Sequence, residues 1–273
     1  MNCKFCRSPA TVKYGIRRHI QYYLCKSCGR TFAGTDSPEG MRTSAQEIGT
    51  ALSLFYDGLS LSAIQRQLQQ IYLDTVETST IYRWVVKYTR QGIAAIGPYR
   101  ANTSNTWVID ETVIQIDSSG NYWFFDCIDA GTRFLLASRI SKVRTIRDVE
   151  AVLSLGANNT ARTPRFIISD GLAAYPDGIE RVFGADAIHI RARGLTHAVN
   201  INLIERFHGT LKQRTKVMRG LKSVESASLI LTGFIVHYDF FRPHTALGGR
   251  TPAEVAGIRF PFKNWEGLVR HQP

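Results

Sequence analysis

The sequence predicts an α/β protein in which a mixed sheet is flanked by helices and preceded by two small N-terminal units. Hydrophobic residues make up 44% of the 273 residues, which is enough to bury a core. From about residue 105 the pattern gives three strands, a helix, a strand, a helix and a strand before further helices, an order typical of a mixed sheet covered by helices. Four of the five cysteines lie in the first 28 residues, which sets that segment apart.

The charge balance points to a polyanionic partner. The chain has 34 Lys and Arg against 22 Asp and Glu, a net charge of +12, and a domain this basic most often binds nucleic acid. Charge that only keeps the protein soluble is the alternative. No apolar run reaches the ~18–20 residues of a membrane helix, and the N-terminal residues lack the apolar core of a signal peptide. We therefore expect a cytoplasmic protein with no membrane partner.

The spacing of four cysteines predicts a zinc ribbon over residues 1–34. Cys3 and Cys6 form one C-x2-C pair, and Cys25 and Cys28 form a second pair after 18 intervening residues. Two such pairs on tight turns complete the tetrahedral four-thiolate set of Zn²⁺. Four protein ligands leave no open position, so the zinc should be structural. Two disulfides are the alternative, which does not suit a cytosolic protein.

The predicted ribbon is also basic. Seven Lys or Arg residues, Arg17 and Arg18 among them, precede the first acidic residue, Asp36. Tyrosines are interleaved with these cations. Contact with a phosphate backbone is the natural use of such a surface, and a solvated basic face is the alternative that remains open.

Residues 42–92 are predicted as three helices after a linker at residues 35–41. A helix, a turn, a short helix and a third helix fit a helix-turn-helix, whose third helix enters the major groove of DNA with its first turns. The residues that would then face bases or phosphates are Ser79, Thr80, Tyr82 and Arg83. A plain three-helix bundle fits the periodicity equally well, and the adjacent basic ribbon favours DNA binding.

Residues 103–258 carry the pattern of the mixed sheet, and residues 259–273 are expected to be a C-terminal extension. The first three strands predict an antiparallel meander. The predicted strands are Trp107–Ile116, Tyr122–Ile128, Phe134–Ile140, Arg165–Ser169 and Ala185–Ile190. The predicted helices are Thr145–Leu155, one that begins after Leu172, His197–Gly220 and Val224–Phe240.

Three acidic residues stand out by their surroundings. Asp110 interrupts a strand of the buried type, Asp170 ends another, and Glu205 lies on a predicted helix. An ionised carboxylate among apolar strand residues is costly unless it is paired or bound to a metal. Two or three converging carboxylates suit Mg²⁺ or Mn²⁺, and two such ions can promote phosphodiester chemistry. Taken singly, each carboxylate fits a structural turn or cap residue as well.

Three segments around these acids resemble the blocks of the DDE transposases of bacterial and archaeal insertion sequences, members of the retroviral integrase superfamily. The segments are WVIDET (107–112), IISDGLAAY (167–175) and NLIERFHGTLKQR (202–214). Thirty-four residues separate Asp170 from Glu205, and Lys212 follows Glu205 by seven, as in that family. Tyr238–Leu247 and Thr251–Glu254 resemble its closing block. The resemblance covers about residues 105–256 and implies a ribonuclease-H-like sheet behind a zinc ribbon and a helix-turn-helix domain.

The resemblance also implies the site residues. Asp110, Asp170 and Glu205 match the catalytic triad that holds Mg²⁺ or Mn²⁺. Glu111 is adjacent to Asp110, but side chains alternate along a strand, so it should point to the opposite face. Lys212 is expected to contact the phosphate of the donor end. The basic charge of the same helix, and not the resemblance, predicts DNA contacts at Arg206, Arg214 and Lys216, with a solvated helix face as the alternative. Asn202, one turn before Glu205, is expected to orient the site or contact DNA.

The function that these residues predict is an insertion-sequence transposase. It would bind terminal inverted repeats and catalyse metal-dependent strand cleavage and strand transfer on double-stranded DNA, as a homodimer or larger assembly associated with a prokaryotic nucleoid. The alternatives are a catalytically silent, domesticated DNA-binding regulator and a nuclease of the ribonuclease H class. No Walker-type loop is present, so no nucleotide cofactor is expected. Ser169 has no motif-matched histidine, which argues against a serine nucleophile.

Overall fold

The chain folds as two units with interleaved sequence. One contains Met1–Leu54, Leu61–Tyr88 and Asn264–Pro273, and the other contains Phe55–Ser60 and Thr89–Lys263. The computed structural model describes residues 1–17, 20–39, 41–73, 75–116, 120–192, 199–218 and 221–271. The domain boundaries expected from the sequence stay predictions.

The first unit begins with a three-stranded antiparallel sheet. Its strands are β1 (Thr11–Arg17), β2 (Ile20–Cys25) and β3 (Thr31–Ala33), in the order β1-β2-β3. The last of them, β3, has only three residues. This short strand brings Phe32 into a small core with Cys3 and Cys25, so the apolar packing of the ribbon surrounds its cysteines.

Helices complete the first unit. They are α1 (Ala45–Tyr56) and α2 (Leu61–Tyr72), the first part of α3 (Thr78–Ile96), and α9 (Trp265–Arg270). Ser44 caps α1, because its Oγ accepts a hydrogen bond from the Glu47 N–H at 3.1 Å. The expected C-terminal extension contains α9, whose Trp265 is fully buried. A Cβ on Gly49 would lie 2.6 Å from the Glu266 nitrogen, so α1 and α9 are in direct contact.

The second unit contains a five-stranded mixed sheet. The strands are β4 (Thr106–Ile116), β5 (Gly120–Asp129), β6 (Leu135–Ser141), β7 (Phe166–Ser169) and β8 (Ile188–Arg191). Their order is β6-β5-β4-β7-β8. The β4–β5 and β5–β6 pairs are antiparallel, whereas β4–β7 and β7–β8 are parallel. This is the topology of a ribonuclease-H-like sheet, and the predicted fold class is confirmed.

Helices cover both faces of this sheet. The helices of the second unit after α3 are α4 (Ile146–Asn158), α5 (Ala174–Phe183), α6 (Asn202–Lys216), α7 (Val224–Val236) and α8 (Pro252–Val255). Because side chains alternate along β4, Trp107 packs edge-on against Phe183 of α5, with ring centroids 5.7 Å apart, whereas Asp110 faces His208 of α6 on the other side. The 19-residue α3 is the longest described helix, and none of the described helices is long and apolar enough to span a membrane.

The structure corrects several predicted element bounds. The helix expected over His197–Gly220 begins at Asn202 and ends at Lys216, while residues 193–198 and 219–220 lie outside the described residues. The next helix continues past Val236 as a π-helical turn, His237–Phe241. The turn expected after the first strand of the sheet falls on residues 117–119, which are also outside the described part of the chain.

Candidate functional site

Two neighbouring strands bring Asp110 and Asp170 together. In the parallel pair β4–β7, Val108 lies opposite Ile168. The same offset, continued by two residues, places Asp110 beside Asp170, just past the end of β7. In an open α/β sheet, ligands usually bind beyond the carboxyl ends of parallel strands. The acid inside β4 and the acid that follows β7 therefore meet at the edge where β7 ends, while β4 continues to Ile116.

Three carboxylates form a cluster at this edge. One oxygen from each of Asp110, Glu111 and Asp170 lies within 4.8 Å of the others; we call these residues the carboxylate cluster. Burial is the largest cause that raises the pKa of the Asp110 carboxyl to about 7, and the charges of Glu111 and Asp170 add to it. Crowded carboxylates of this kind favour a divalent cation, which offsets their repulsion and prefers oxygen ligands.

Glu111 is directed to the other face of the strand, yet its carboxylate belongs to the cluster. Its partners lie on that other face, because it accepts hydrogen bonds from the Tyr175 hydroxyl on α5 and from Nη1 of Arg144, the latter at 3.2 Å. The Arg144 guanidinium in turn lies 3.9 Å above the Trp123 ring. Alternation along the strand fixes the direction of Cβ and not the position of the carboxylate, so one oxygen of Glu111 still lies within 4.8 Å of oxygens of Asp110 and Asp170.

Sequence reasoning missed Asp126 and His208. Asp126 lies directly opposite Asp110 in the antiparallel ladder of β4 and β5, and it is fully buried. Its Oδ2 is 3.0 Å from Nε2 of His208, while Nδ1 of the same ring is 3.6 Å from Oδ2 of Asp110. The sequence did carry a signal for Asp126, because this acid interrupts an apolar strand in the same way as Asp110 does.

The protonation of this pair follows from its burial. Burial raises the pKa of Asp126 well above its usual range and lowers that of His208 to about 4. Burial thus favours the neutral form of both groups, and the imidazole of His208 lies between the carboxyls of Asp126 and Asp110.

Asp170 is held by the turn that follows β7. Its Oδ1 accepts a hydrogen bond from the Leu172 N–H at 2.9 Å. The preceding Ser169 is fully buried, and its Oγ lies 2.8 Å from Nε2 of His189. Because Ser169 is buried, the pair is not an accessible nucleophile.

Glu205 lies outside the carboxylate cluster. It is exposed in the first turn of α6, and among the described residues only Asp110, Glu111 and Asp170 bring acidic ligand atoms within 4.8 Å of one another. His208 stands one turn further along the same helix and faces Asp110. Glu205 as the third ligand stays a prediction.

The basic residues of α6 divide into exposed and buried ones. Arg206, Lys212 and Lys216 are exposed, and Asn202 is half-buried. Lys212 and Lys216 border a groove of about 450 Å³ beside β4. These four remain predicted DNA contacts.

Arg214 requires a correction. It is 2% exposed, and its guanidinium lies 3.8 Å above the Phe55 ring. DNA therefore cannot contact Arg214 in this structure. Burial lowers the pKa of Arg214 to about 10, and none of its three guanidinium nitrogens has a hydrogen-bond partner among the described residues.

The residues predicted for a DNA-reading helix lie at the start of α3. Ser79, Tyr82 and Arg83 are exposed, and Thr80 is half-buried. The Arg83 guanidinium donates hydrogen bonds to the Ser79 carbonyl and to the Thr80 hydroxyl, each at 3.2 Å. Ile81 and Trp84 are buried on the opposite side of the helix, as the periodicity indicates.

In the ribbon, Arg17 is exposed beside Tyr22, with its guanidinium 5.2 Å from the ring centroid. Arg18 lies outside the described residues. The ribbon contacts therefore stay predictions, as do those of α3.

The four N-terminal cysteines form a second candidate metal centre, which we call the cysteine cluster. The Sγ atoms of Cys3 and Cys28 are 3.7 Å apart, those of Cys6 and Cys25 are 3.5 Å apart, and all four lie within 4.8 Å of one another. A tetrahedron with Zn–S bonds of ~2.3 Å has sulfur–sulfur edges of about 3.8 Å. The spacing therefore fits a four-thiolate metal site, and all four cysteines are free of disulfides.

The two cysteine turns share one backbone geometry. The N–H of Arg7 donates to the Cys3 carbonyl, and the N–H of Gly29 donates to the Cys25 carbonyl, each at 2.9 Å. Arg7 and Gly29 both adopt a positive φ, of 60° and 69°. Each C-x2-C pair therefore ends in a left-handed residue that turns its two thiols toward the same point.

Comparisons with known proteins agree with this architecture. A family model described as a DDE domain, of the IS240 transposase type, matches residues 104–244. An uncharacterized protein in transposable element ISH50 of Halobacterium salinarum is 30% identical over 118 residues, which cover 43% of this chain and 38% of that protein. The match thus spans well under half the length of that curated relative.

Solved structures with a likeness to this chain include two retroviral integrase cores. The catalytic core domain of HTLV-2 integrase in complex with magnesium is 15% identical with a TM-score of 0.43, covering 57% of this chain and 97% of that one. The core domain of BIV integrase is 17% identical with a TM-score of 0.41, covering 56% and 93%. The family match includes more than half of the 273 residues, and this chain therefore belongs to the DDE transposase family.

Proposed function

We propose that this protein is an insertion-sequence transposase that binds the terminal inverted repeats of its element and catalyses DNA strand cleavage and strand transfer. The observation that carries the proposal is the convergence of Asp110, inside β4, with Asp170, just past the end of the adjacent parallel strand β7, in a chain of the DDE family. Asp170 is positioned by the backbone of its own turn, and Asp110 is flanked by His208. Such fixed groups supply the positioning and electrostatic stabilisation that phosphoryl transfer requires.

Asp110, Asp170 and Glu205 would hold two Mg²⁺ or Mn²⁺ ions. When bound, these ions activate the attacking oxygen and stabilise the leaving oxygen of an in-line displacement. His208 supports this arrangement, because it faces Asp110 and lies one helical turn beyond Glu205 on α6. We infer that Glu205 joins the carboxylates when DNA occupies the site. The attacking oxygen is water in the cleavage step and the freed 3′-hydroxyl in strand transfer.

The remaining predicted residues would bind DNA. Lys212, Arg206 and Lys216 are exposed on the helix that carries Glu205, which suits contacts to the phosphates of the donor end. The exposed start of α3 would read the inverted repeat, and the ribbon, with Zn²⁺ in the cysteine cluster, would add backbone contacts through Arg17. Because two element ends must be joined, the working form is a homodimer or larger assembly on nucleoid DNA in the cytoplasm.

A cleavage assay tests this function. The substrate is a short labelled duplex from the end of the element that encodes the chain, with Mg²⁺ or Mn²⁺. Asp170→Asn should reduce strand cleavage on the order of 10³-fold, the size expected when an essential transition-state interaction is lost, while end binding persists. Asp177→Asn is the matched control, because Asp177 is an exposed acid on α5.

Three results would contradict the proposal. Binding of the ends without any cleavage by the wild-type protein would identify a regulator. Cleavage confined to the RNA strand of a hybrid would identify a ribonuclease. Equal activity of Asp170→Asn and the control would remove Asp170 from the site.

A further inference from the structure

Arg191 ends β8 beside the carboxylate cluster. Its partner in the parallel ladder is Ser169, the residue before Asp170. Its guanidinium packs against Gly171, the residue after Asp170. A Cβ built on Gly171 would lie 2.4 Å from Nη2 of Arg191, 3.0 Å from Cζ and 3.1 Å from Nε. The guanidinium therefore occupies the space that a side chain at position 171 would need.

No residue in the described part of the chain neutralises the charge of this guanidinium. Arg191 is exposed, and it makes no ion pair or side-chain hydrogen bond with any residue in the described part of the chain. Three other arginines of the same unit each pair with a carboxylate. The pairs are Arg139–Asp148, Arg144–Glu111 and Arg181–Glu150, with N–O distances of 3.4, 3.2 and 3.0 Å. Arg191 differs from these three because its five donors have no acceptor among the described residues, next to the proposed site of phosphate chemistry.

Asp170 does not neutralise Arg191. The two residues are close in the sheet, yet they form no ion pair within 4.0 Å, and Asp170 instead accepts from the Leu172 N–H. A carboxylate bonded to its own turn stays available for a cation on its other side. A guanidinium that packs against Gly171 and has no side-chain acceptor among the described residues is available to an anion. The two residues therefore present both halves of a phosphate site, a carboxylate for a metal ion and a cation for a phosphate oxygen.

We propose that Arg191 binds a non-bridging oxygen of the scissile DNA phosphate and holds that phosphate against the carboxylate cluster. The inference rests on the proposed function. Guanidinium is suited to this role because its planar fork matches the oxygens of a phosphate and stays charged at all relevant pH values. Gly171 is part of the same device, since any side chain there would displace the fork.

Three variants test separately the shape, the charge and the position of the guanidinium. Arg191→Ala removes both, Arg191→Lys keeps the charge without the fork, and Gly171→Ala keeps the arginine but pushes it aside. Gly171 has no positive φ, so alanine fits its backbone. Arg165→Ala is the matched control, because Arg165 is an exposed arginine before the opposite end of β7.

The test measures Mn²⁺-dependent cleavage of an element-end duplex and of the same duplex with a stereodefined phosphorothioate at the scissile phosphate. Arg191→Ala and Gly171→Ala should cut the normal duplex ~10- to 100-fold more slowly, the range expected for one charge-assisted hydrogen-bonded contact, and Arg191→Lys should fall between them and wild type. Wild type should discriminate against the diastereomer whose sulfur faces Arg191, and Arg191→Ala should lose that discrimination. Mn²⁺ binding measured by electron paramagnetic resonance should be unchanged in all three variants.

The outcomes distinguish this inference from the function on which it rests. If wild type cleaves and Arg191→Ala matches both wild type and Arg165→Ala, the role of Arg191 is overturned and the transposase remains. Retained phosphorothioate discrimination in a slow Arg191→Ala variant would overturn it too, because the loss would then be structural. If wild type cleaves no duplex, both proposals fall together.

Discussion

The cysteine cluster and the carboxylate cluster are both candidate metal centres, and they are built in opposite ways. All four cysteines come from residues 3–28, on two turns with the same backbone geometry. The carboxylates come from β4 and from the end of β7, and the third acid of the family pattern, Glu205, stands on α6 outside the cluster. One site is local and complete, whereas the other is assembled from distant segments and open on one side.

This difference matches what each site is expected to do. A structural metal needs a closed ligand set, because any open position would admit water and weaken the fold. A catalytic metal needs an open position for substrate. We therefore expect loss of a cysteine ligand to damage folding, and loss of a carboxylate ligand to damage chemistry while the fold persists.

The largest effect is expected for Cys25→Ser. Structural zinc contributes on the order of 10–16 kcal/mol of apparent binding free energy in small zinc domains, so the ribbon should lose its metal and unfold. Zinc content should fall from one ion per chain to none, and residues 1–34 should become sensitive to protease. Ser27→Ala, a change at an exposed residue between the same cysteines, should retain the ion. A Cys25→Ser protein with full zinc content and an intact ribbon would contradict a closed four-thiolate site.

The next largest effect is expected for Glu205, the third acid of the family pattern. Glu205→Gln should slow cleavage on the order of 10²- to 10³-fold without changing the melting temperature, because Glu205 is exposed. Glu111→Gln should cost less than about tenfold, because its carboxylate serves Tyr175 and Arg144 and an amide oxygen can still accept one of those bonds. Cleavage rates of the two variants on the same duplex show which of the two acids is the third metal ligand. The reverse order would make Glu111 the third ligand.

A smaller effect is expected for Arg214→Met. Burying an unpaired charge costs several kcal/mol, whereas the contact with the Phe55 ring returns only about 2 kcal/mol. The free energy of unfolding of the variant should therefore equal that of the wild type or exceed it by up to about 2 kcal/mol. Its melting temperature should be the same or higher. Lys212→Ala should leave the melting temperature unchanged and weaken DNA binding, because Lys212 is exposed. A large drop in melting temperature for Arg214→Met would show that the guanidinium has a stabilising acceptor.

The last prediction compares the two turns of the cysteine cluster. Gly29→Ala should destabilise the ribbon by about 1–2 kcal/mol, because alanine resists the positive φ of that turn. Arg7→Gly should change stability less, since relief of strain at φ 60° is offset by the entropy of glycine. Competition with a zinc chelator would measure how much each variant weakens the zinc-bound ribbon. If Arg7→Gly weakened the ribbon as much as Gly29→Ala, the two turns would not share the same left-handed geometry.

The parts of the molecule that the sequence predicted are those encoded by short-range patterns. The cysteine spacing places four thiols around one point, and Asp110 and Asp170 stand out because one lies inside and the other just after an apolar strand. The pattern did not predict where Glu111 would reach, because alternation describes Cβ and not the end of a flexible side chain.

Long-range register and burial were harder to predict. Asp126 and His208 escaped notice because their partnership depends on the pairing of β4 with β5 and on the rotation of α6. Arg214 was assigned to DNA by its charge alone. Yet it continues the buried stripe of Ile204, Phe207 and Leu211 at intervals of three and four residues. Periodicity was the better guide there, and the charge should have raised the question of a buried cation.

The most direct test of the two-centre account is anomalous diffraction from a crystal grown with zinc and soaked in Mn²⁺, with data collected at the absorption edges of both metals. We predict a zinc peak at the centre of the four cysteine sulfurs and a manganese peak within coordination distance of the Asp110 and Asp170 carboxylates. A manganese peak at the cysteines, or none at Asp110 and Asp170 while peaks appear elsewhere on the chain, would contradict the account.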